Sequence, residues 1–260
     1  MVKLNRIDLI NHINRPEEKI SIRKVIDKME TVMNSHISTS TDFLNPHEIN
    51  LSISILNRFK DQVSYEIDGG YEDSESSIIY IYPAYRYENE DNDLVLFKFE
   101  TNNKIKHGDV LGSILGLSID RGKIGDILIG EKFTYFFVKR EIANFIETNL
   151  TKVSKYNILL SREDDISNIP KKEYDFKKII VSSFRLDNLI SKVFNLSRSK
   201  VKEMIKAELV KVNFAKETRP HLELELGDLI SVRHYGRFRV YDVEGNTKKG
   251  NFVLIVRLNK

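Results

Sequence analysis

The hydrophobic and polar positions of the first 60 residues follow a helical repeat. Apolar side chains recur three or four positions apart, at Ile20, Val25, Ile26, Met29, Val32 and Met33. This spacing predicts an amphipathic helix. A second helix is predicted to follow Asn45, because Asn45 suits the N-cap, Pro46 the first helical position, and Glu48 the third, where it completes a capping box. The turn at 68–70 ends a helical N-terminal region, residues 1–74.

Residues 75–162 change to an alternating pattern, which is typical of half-buried strands. Strands are predicted at 77–82, 94–99, 126–129, 133–139 and 153–160. One helix is predicted over 109–117, and a second one has an apolar face at Ile142, Phe145, Ile146 and Leu150. These elements predict a small α/β sandwich in which two helices cover one sheet. Residues 163–181 contain Pro170 and mixed charges and are interpreted as a linker.

The last segment, residues 182–260, combines both patterns. A first amphipathic helix is predicted from the spacing of Leu186, Leu189, Ile190, Val193 and Phe194. Ser197 is predicted to cap a second helix that ends near Leu209. Strands at 210–213, 229–233, 237–241 and 252–258, with a hairpin at Gly245-Asn246, then form a small sheet. We therefore predict two helices packed on a small sheet, and the α+β class for the whole chain.

The charge is distributed very unevenly, although the formal net charge is only +3. Residues 61–100 contain 2 basic and 11 acidic residues, a net charge of −9. Residues 182–260 contain 16 basic and 9 acidic residues, a net charge of +7. A concentrated basic excess of this kind indicates an anionic partner, and nucleic acid is the first class to consider.

The second C-terminal helix carries the sharpest candidate site. Arg198, Lys202 and Lys206 are spaced four residues apart and form one stripe beside the apolar face. We expect the small sheet to present further basic residues next to this stripe, as a surface for the phosphates of structured RNA. The predicted RNA-binding residues are Arg185, Ser197, Arg198, Ser199, Lys200, Lys202, Lys206, Lys211, Arg233, Arg237 and Arg239.

Several classes of chemistry have no support in the sequence. The chain has no cysteine, which excludes disulfides, thiol catalysis and cysteine-bound metals. Its six histidines lack zinc-ligand spacing, and no phosphate-binding glycine loop is present. No apolar run approaches the ~20 residues that span a bilayer. We therefore expect a cytoplasmic monomer without catalytic residues, metal, cofactor or membrane partner.

The C-terminal motifs resemble the RNA-binding domain of the ribosomal protein S4 type. They occur in order as Arg185-Leu186-Asp187, Leu196-Ser197-Arg198-Ser199-Lys200-Val201, Val210-Lys211-Val212-Asn213, Gly227-Asp228 and Val232-Arg233. The resemblance implies two helices on a small sheet and binding to RNA. This chain departs from the pattern at Glu208, which stands where the family usually has a glycine in a left-handed cap.

The upstream motifs resemble the YlmH family of bacterial RNA-binding proteins. They are Thr41-Asp42-Phe43-Leu44-Asn45-Pro46, the run from Gly69 to Glu75, the run from His107 to Gly116, and Gly122-Lys123-Ile124-Gly125-Asp126-Ile127. This resemblance implies an RRM-like middle domain between the helical region and the C-terminal module. It also implies ribosomal RNA or tRNA as partner, in translation rescue on large ribosomal subunits.

Two alternatives remain open at this stage. The triplet Arg185-Leu186-Asp187 is similar to the nucleophile motif of pseudouridine synthases, although no catalytic domain follows it. A cell-division adaptor would use the acidic segment 61–100 or the middle domain to bind another protein. The acidic segment itself is interpreted either as solvated loops or as a surface that repels RNA.

Overall fold

The computed structural model describes residues 5–11, 13, 15–86, 92–101 and 104–259. The chain divides into two compact units, Met1–Pro170 and Lys171–Lys260. Both units combine helices with antiparallel sheets, which confirms the predicted α+β class. Residues 87–91 of the acidic segment lie outside the described part. No helix in that part is both long and apolar enough to cross a membrane.

The first unit begins with three helices and a three-stranded antiparallel sheet of order β1-β3-β2. The elements are α1 (Arg6–Ile10), α2 (Pro16–Ser35), β1 (Thr39–Ser40), α3 (Pro46–Leu56), β2 (Val63–Asp68) and β3 (Ile78–Pro83). The predicted cap of α3 is confirmed: the Asn45 side chain accepts from the amides of His47 and Glu48, and the Glu48 carboxylate accepts from the Asn45 amide.

One strand belongs to a different sheet from the one predicted. The strand expected in the middle domain at 77–82 is β3, and it pairs with β1 and β2 of the N-terminal sheet. Its side chains alternate between two cores. Ile79 and Ile81 pack with the buried residues of α2, whereas Ile78 and Tyr80 face the middle domain. The N-terminal region is therefore not only helical, because it needs this sheet to cover α2.

The middle of the first unit follows the chain order β-α-β-β-α-β, with a short hairpin before the last strand. The elements are β4 (Leu94–Glu100), α4 (His107–Leu115), β5 (Ile124–Ile129), β6 (Phe133–Lys139), α5 (Arg140–Asn149), β7 (Lys152–Val153), β8 (Tyr156–Asn157) and β9 (Ser161–Glu163). The sheet order is β5-β6-β4-β9, all antiparallel. This is the split β-α-β arrangement of ferredoxin-like folds.

The single strand predicted at 153–160 is wrong. The chain forms the small hairpin β7-β8 there, because Ser154 adopts a positive φ of 54° and turns the backbone. The fourth strand of the sheet comes later, at β9, where the middle domain was predicted to end.

The middle sheet is buried on both faces. The helices α4 and α5 cover one face, where Phe97, Phe136 and Val138 are in the core. On the other face, Leu96, Tyr135 and Phe137 pack against residues of the N-terminal region, namely Phe43, Ile78 and Tyr80. Side chains alternate across a strand, so every second residue of β4 and β6 serves each core.

The loop between β2 and β3 is anchored on this second face. The Asp126 carboxylate accepts hydrogen bonds from the Tyr71 hydroxyl at 2.7 Å and from the backbone amides of Glu75 and Ser76 at 2.7 and 3.0 Å. The Tyr71 ring stacks on Phe137 at 5.7 Å. Gly70 has φ of +86°, and a Cβ there would lie 2.2 Å from the Phe137 ring, so only glycine fits.

The second unit is a six-stranded antiparallel sheet with two helices on one face. Its elements are β10 (Tyr174–Val181), α6 (Leu186–Phe194), α7 (Arg198–Lys206), β11 (Val210–Val212), β12 (Ala215–Lys216), β13 (Leu229–Val232), β14 (Gly236–Asn246) and β15 (Phe252–Asn259). The sheet order is β10-β15-β14-β13-β11-β12. The helices and the sheet share one core, which includes Leu189, Val201, Phe238 and Val256.

The linker prediction is also wrong for residues 174–181. These residues form β10, which pairs along its whole length with β15 at one edge of the sheet. Ile179 and Val181 are buried under the helices, so the strand is an integral part of the core. The turn of the hairpin predicted at Gly245-Asn246 lies slightly later, at 247–251, because β14 continues through Asn246.

Candidate nucleic-acid interface

The start of α7 has the geometry of an anion-binding helix terminus. Ser197 is the N-cap, as predicted, and its Oγ accepts from the Lys200 amide at 3.3 Å. The Ser199 hydroxyl lies 3.1 Å from that of Ser197. Amides at a helix N-terminus and the positive end of the helix dipole favour a phosphate. Arg198 and Lys200 add exposed cations at the same place.

The two predicted stripes of α7 are present. Val201, Met204 and Ile205 are buried in the core of the second unit. Arg198 and Lys206 are exposed and Lys202 is half-buried. Because buried and basic positions alternate with helical spacing, the core contacts hold the basic stripe in one orientation toward solvent.

The turn between β13 and β14 lies beside α7. The Nζ of Lys200 is 5.5 Å from the centre of the Tyr235 ring, and that ring packs against Phe194 at 5.9 Å. The Arg233 amide donates to the Leu209 carbonyl at 2.9 Å, just beyond the end of α7. Arg233 is exposed at this turn and follows Val232, which is buried in the core of the unit.

Arg185 is held by an internal ion pair at the start of α6. Its Nε and a terminal nitrogen donate to the two oxygens of Asp187 at 3.1 and 2.9 Å, and it also contacts Nδ1 of His221. The Asp187 side chain is 0% exposed. Burial by itself raises the pKa of Asp187, but the hydrogen bonds and charge of Arg185 outweigh it and hold that pKa below its ordinary value.

This pairing bears on the pseudouridine-synthase alternative. A nucleophilic carboxylate must reach the substrate, whereas Asp187 has no exposed surface and both of its oxygens accept hydrogen bonds from Arg185. The triplet is therefore accounted for by the structure of the helix start.

Among the residues that the structure describes, no group of three or more His, Cys, Asp or Glu side chains could hold a metal ion.

The predicted basic residues do not form one continuous surface. Phe238 and Val240 of β14 face the helices, so Arg237 and Arg239 lie on the opposite face of the sheet. Lys211 lies on that face too, because its register partner Ser231 pairs with Arg237. The expectation that sheet arginines stand next to the α7 stripe is wrong for Arg237 and Arg239, since strand alternation points them the other way.

The basic residues of this unit therefore lie on two separate surfaces. The helix-side surface consists of Arg185, Ser197, Arg198, Ser199, Lys200, Lys202 and Lys206, and Arg233 lies in the turn beyond the end of α7. The sheet-side surface consists of Lys211, Arg237 and Arg239 together with three residues that the sequence reasoning missed, Phe176, Tyr241 and Arg257. Phe176 was missed because β10 was interpreted as a linker, although the alternation of Phe176, Lys178 and Ile180 with Ile179 and Val181 is a strand signal.

Comparison with known proteins supplies the family. A model described as "YlmH, N-terminal" matches residues 17–86, and the S4 domain matches 184–230. The model "Putative RNA-binding domain in YlmH" matches 88–166. A curated Bacillus subtilis (strain 168) protein, "Ribosome-associated protein quality control protein P2", is 30% identical over 248 residues, 93% of this chain and 95% of the relative. The chain belongs to the YlmH family.

The YlmH assignment confirms the resemblance found in the upstream motifs, and the S4 match confirms the one at the C-terminus. The solved structure "Cell division protein ylmH from Streptococcus pneumoniae" superposes with a TM-score of 0.52 at 22% identity. It covers 60% of this chain and 97% of the solved chain, and it supports a YlmH-like fold. The matched S4 range contains α6 and α7 and therefore includes the helix-side surface, whereas Arg233 lies three residues beyond that range.

Proposed function

We propose that this protein binds RNA on ribosomal particles and acts in ribosome-associated protein quality control. The helix-side surface carries the proposal: a basic helix stripe and a capped helix N-terminus lie on one side of an S4 domain, beside the Tyr235 ring. The relative from Bacillus subtilis is named for the same process, and the alignment spans nearly the whole chain.

The proposed ligand is structured ribosomal RNA or tRNA on the large subunit. The cations of the helix-side surface are spaced along a helix. This arrangement suits contacts with the phosphates of a folded RNA rather than with its bases. In this proposal the protein works as a monomer in the cytoplasm and needs no cofactor.

The middle domain is proposed to be RRM-like in architecture but not in its mode of binding. Its order of β-α-β-β-α-β and its sheet order support the likeness. An RRM binds bases on the open face of its sheet. Here that face is buried against Phe43 and Tyr80, so any contact of this domain with RNA would use its helices or loops.

Filter binding to structured fragments of large-subunit ribosomal RNA tests the proposal. The double substitution Arg198→Ala/Lys202→Ala removes two cations one helical turn apart. We expect about tenfold weaker binding at moderate salt, and a log–log salt slope smaller by roughly 2, because each phosphate contact contributes about 0.9 to the slope. Lys19→Ala/Arg23→Ala on α2, with the same spacing, is the matched control.

Equal binding by wild type and the Arg198/Lys202 variant would refute the helix-side surface. Co-sedimentation with large subunits gives a second readout, in which the variant should stay in the supernatant while the α2 control pellets. A protein that binds ribosome-free partners tightly but does not pellet with subunits would favour the adaptor alternative instead.

A further inference from the structure

The face of the C-terminal sheet that points away from the helices is a second candidate surface. We infer that this sheet-side surface binds an unpaired stretch of RNA, with its arginines on the phosphates and its aromatic rings on the bases. The inference rests on the proposed function in taking RNA as the ligand, but it uses residues on the other face of the sheet. The two surfaces can therefore be tested separately.

The strand register aligns the basic residues in two rows across the sheet. Lys211 of β11, Ser231 of β13 and Arg237 of β14 form one row. Arg239 of β14 and Arg257 of β15 form the next, and that row continues to Phe176 of β10. Lys177, the neighbour of Phe176, donates to the Val193 carbonyl of α6, which places Phe176 on the face opposite the helices.

Arg239 and Arg257 are like charges directly opposite each other on neighbouring strands, an arrangement that is unfavourable by itself. Neither forms an ion pair with a carboxylate in the described part of the chain. Arg239 is oriented by a hydrogen bond to the Gly227 carbonyl at 2.6 Å, and the guanidinium of Arg257 lies 4.0 Å from the centre of the Tyr174 ring. A polyanion lying across this row would offset the repulsion.

Exposed aromatic rings lie beside the arginines. Phe176 is 58% exposed and Tyr241 is 51% exposed, and their rings meet edge to face at 5.0 Å. Tyr241 occupies the bulge of β14 between Val240 and Asp242. Asp242 follows Tyr241 and is in register with Ile255 on the same face, and Glu244 farther along the strand is paired with Lys178.

Charge and shape together favour single-stranded RNA over other occupants. A surface that alternates cations with solvent-exposed rings is how proteins hold unpaired nucleic acid, because phosphates take the cations and bases stack on the rings. A duplex presents phosphates without accessible base faces and would leave Phe176 and Tyr241 in water. A hydrophobic protein partner would leave Arg239 and Arg257 buried without counter-charges.

Fluorescence anisotropy with a fluorescein-labelled 12-nucleotide oligouridylate and the full-length protein tests the inference. Phe176→Ala/Tyr241→Ala should bind this probe at least about fivefold more weakly, in line with the stacking contribution of single bases. Tyr85→Ala/Phe145→Ala, at exposed positions of the first unit, is the matched control and should bind as wild type. Arg237→Glu is a second variant at an exposed position and should also weaken binding.

The outcomes separate this inference from the proposed function. The Arg198/Lys202 variant should keep oligouridylate affinity within about twofold while losing affinity for structured ribosomal RNA. No binding of oligouridylate by wild type, or equal binding by wild type and both sheet-side variants, would overturn the inference and leave the helix-side surface untouched. The inference would also be overturned if the sheet-side variants kept their affinity for oligouridylate but lost a protein partner that wild type still binds after nuclease treatment.

Discussion

The two largest sheets of the molecule have the same general architecture, but the second face is covered in one sheet and exposed in the other. Each is antiparallel and has two helices on one face. The second face of the middle sheet is buried under Phe43, Ile78 and Tyr80, whereas that of the C-terminal sheet exposes Phe176 and Tyr241 among arginines. An RRM-like order of strands therefore does not by itself make a binding surface. The second face of the sheet can bind a ligand only where no other part of the protein covers it.

The two units also use their charges differently. The unit 1–170 contains 21 basic and 27 acidic residues, and the unit 171–260 contains 20 basic and 11 acidic residues. In the first unit, Asp42 pairs with Lys24 and Lys123. Lys139, only 5% exposed, lies against Ser40 and Asp93, and burial lowers its pKa. In the second unit most of the cations point into solvent, where they are available to an anion.

The largest expected effect breaks the cover of the middle sheet. Asp126→Ala removes the acceptor for the Tyr71 hydroxyl and for the backbone amides of Glu75 and Ser76. Because each of the three lost hydrogen bonds to the carboxylate contributes about 1.5–3 kcal/mol, we expect the free energy of unfolding of the first unit to fall by about 3 kcal/mol or more in urea titrations. Glu131→Ala, an exposed acidic position, is the control.

The same variant sharpens the contrast between the units. Asp126→Ala should keep its affinity for structured ribosomal RNA at temperatures where it is folded, whereas Arg198→Ala/Lys202→Ala should lose affinity and keep its stability. A loss of RNA affinity in folded Asp126→Ala would show that the covered face takes part in binding, and the comparison of the two sheets would fail.

A smaller effect is expected at the end of α7, where the chain departs from the usual S4 pattern. Glu208 has φ of +57°, the left-handed conformation that the usual glycine adopts at this position, and its carboxylate pairs with Lys216 at 3.0 Å. Glu208→Gly and Glu208→Ala both remove the ion pair, but only glycine relieves the left-handed strain. The glycine variant should be more stable than the alanine variant by about 0.5–1 kcal/mol in thermal or urea unfolding. Equal stabilities would mean that the loop relaxes without strain.

The smallest effect concerns an acidic residue of the basic unit and depends on pH. Hydrogen bonds from the Arg219 guanidinium, and from the amides of Thr218 and Arg219, lower the pKa of Glu217 to about 2 from an ordinary 4.5. A lowered carboxyl pKa contributes stability above pH 4.5 that is lost as the pH falls toward 2. The stability difference between wild type and Glu217→Gln should therefore shrink between pH 6 and pH 2.5.

Glu225→Gln, an exposed change of the same kind, is the control for that titration. A Glu217→Gln difference that does not change with pH would show that the carboxylate contributes through packing rather than through its charge.

Local signals predicted the elements well where a side chain acts on its own backbone. The caps at Asn45 and Ser197 and the helix α7 follow from short-range chemistry. The predictions from the sequence were wrong where the pairing of two separate segments decides the structure. The strand β10 has mixed charges because one face is solvent-exposed, and only its pairing with β15 makes it part of a sheet. Likewise, the two faces of β3 are buried in two different cores. The apolar sequence of β3 therefore does not indicate which sheet the strand joins.

The basic C-terminal segment, its two helices, its family and its RNA-directed chemistry could all be read from residue order, because charge, periodicity and motif spacing are properties of the chain itself. Which face each arginine occupies could not, because adjacent residues of a strand point in opposite directions and only the packing of Phe238 and Val240 under the helices sets the phase. The tertiary structure therefore divided one predicted basic surface into two, and it closed the middle sheet while leaving the C-terminal sheet open.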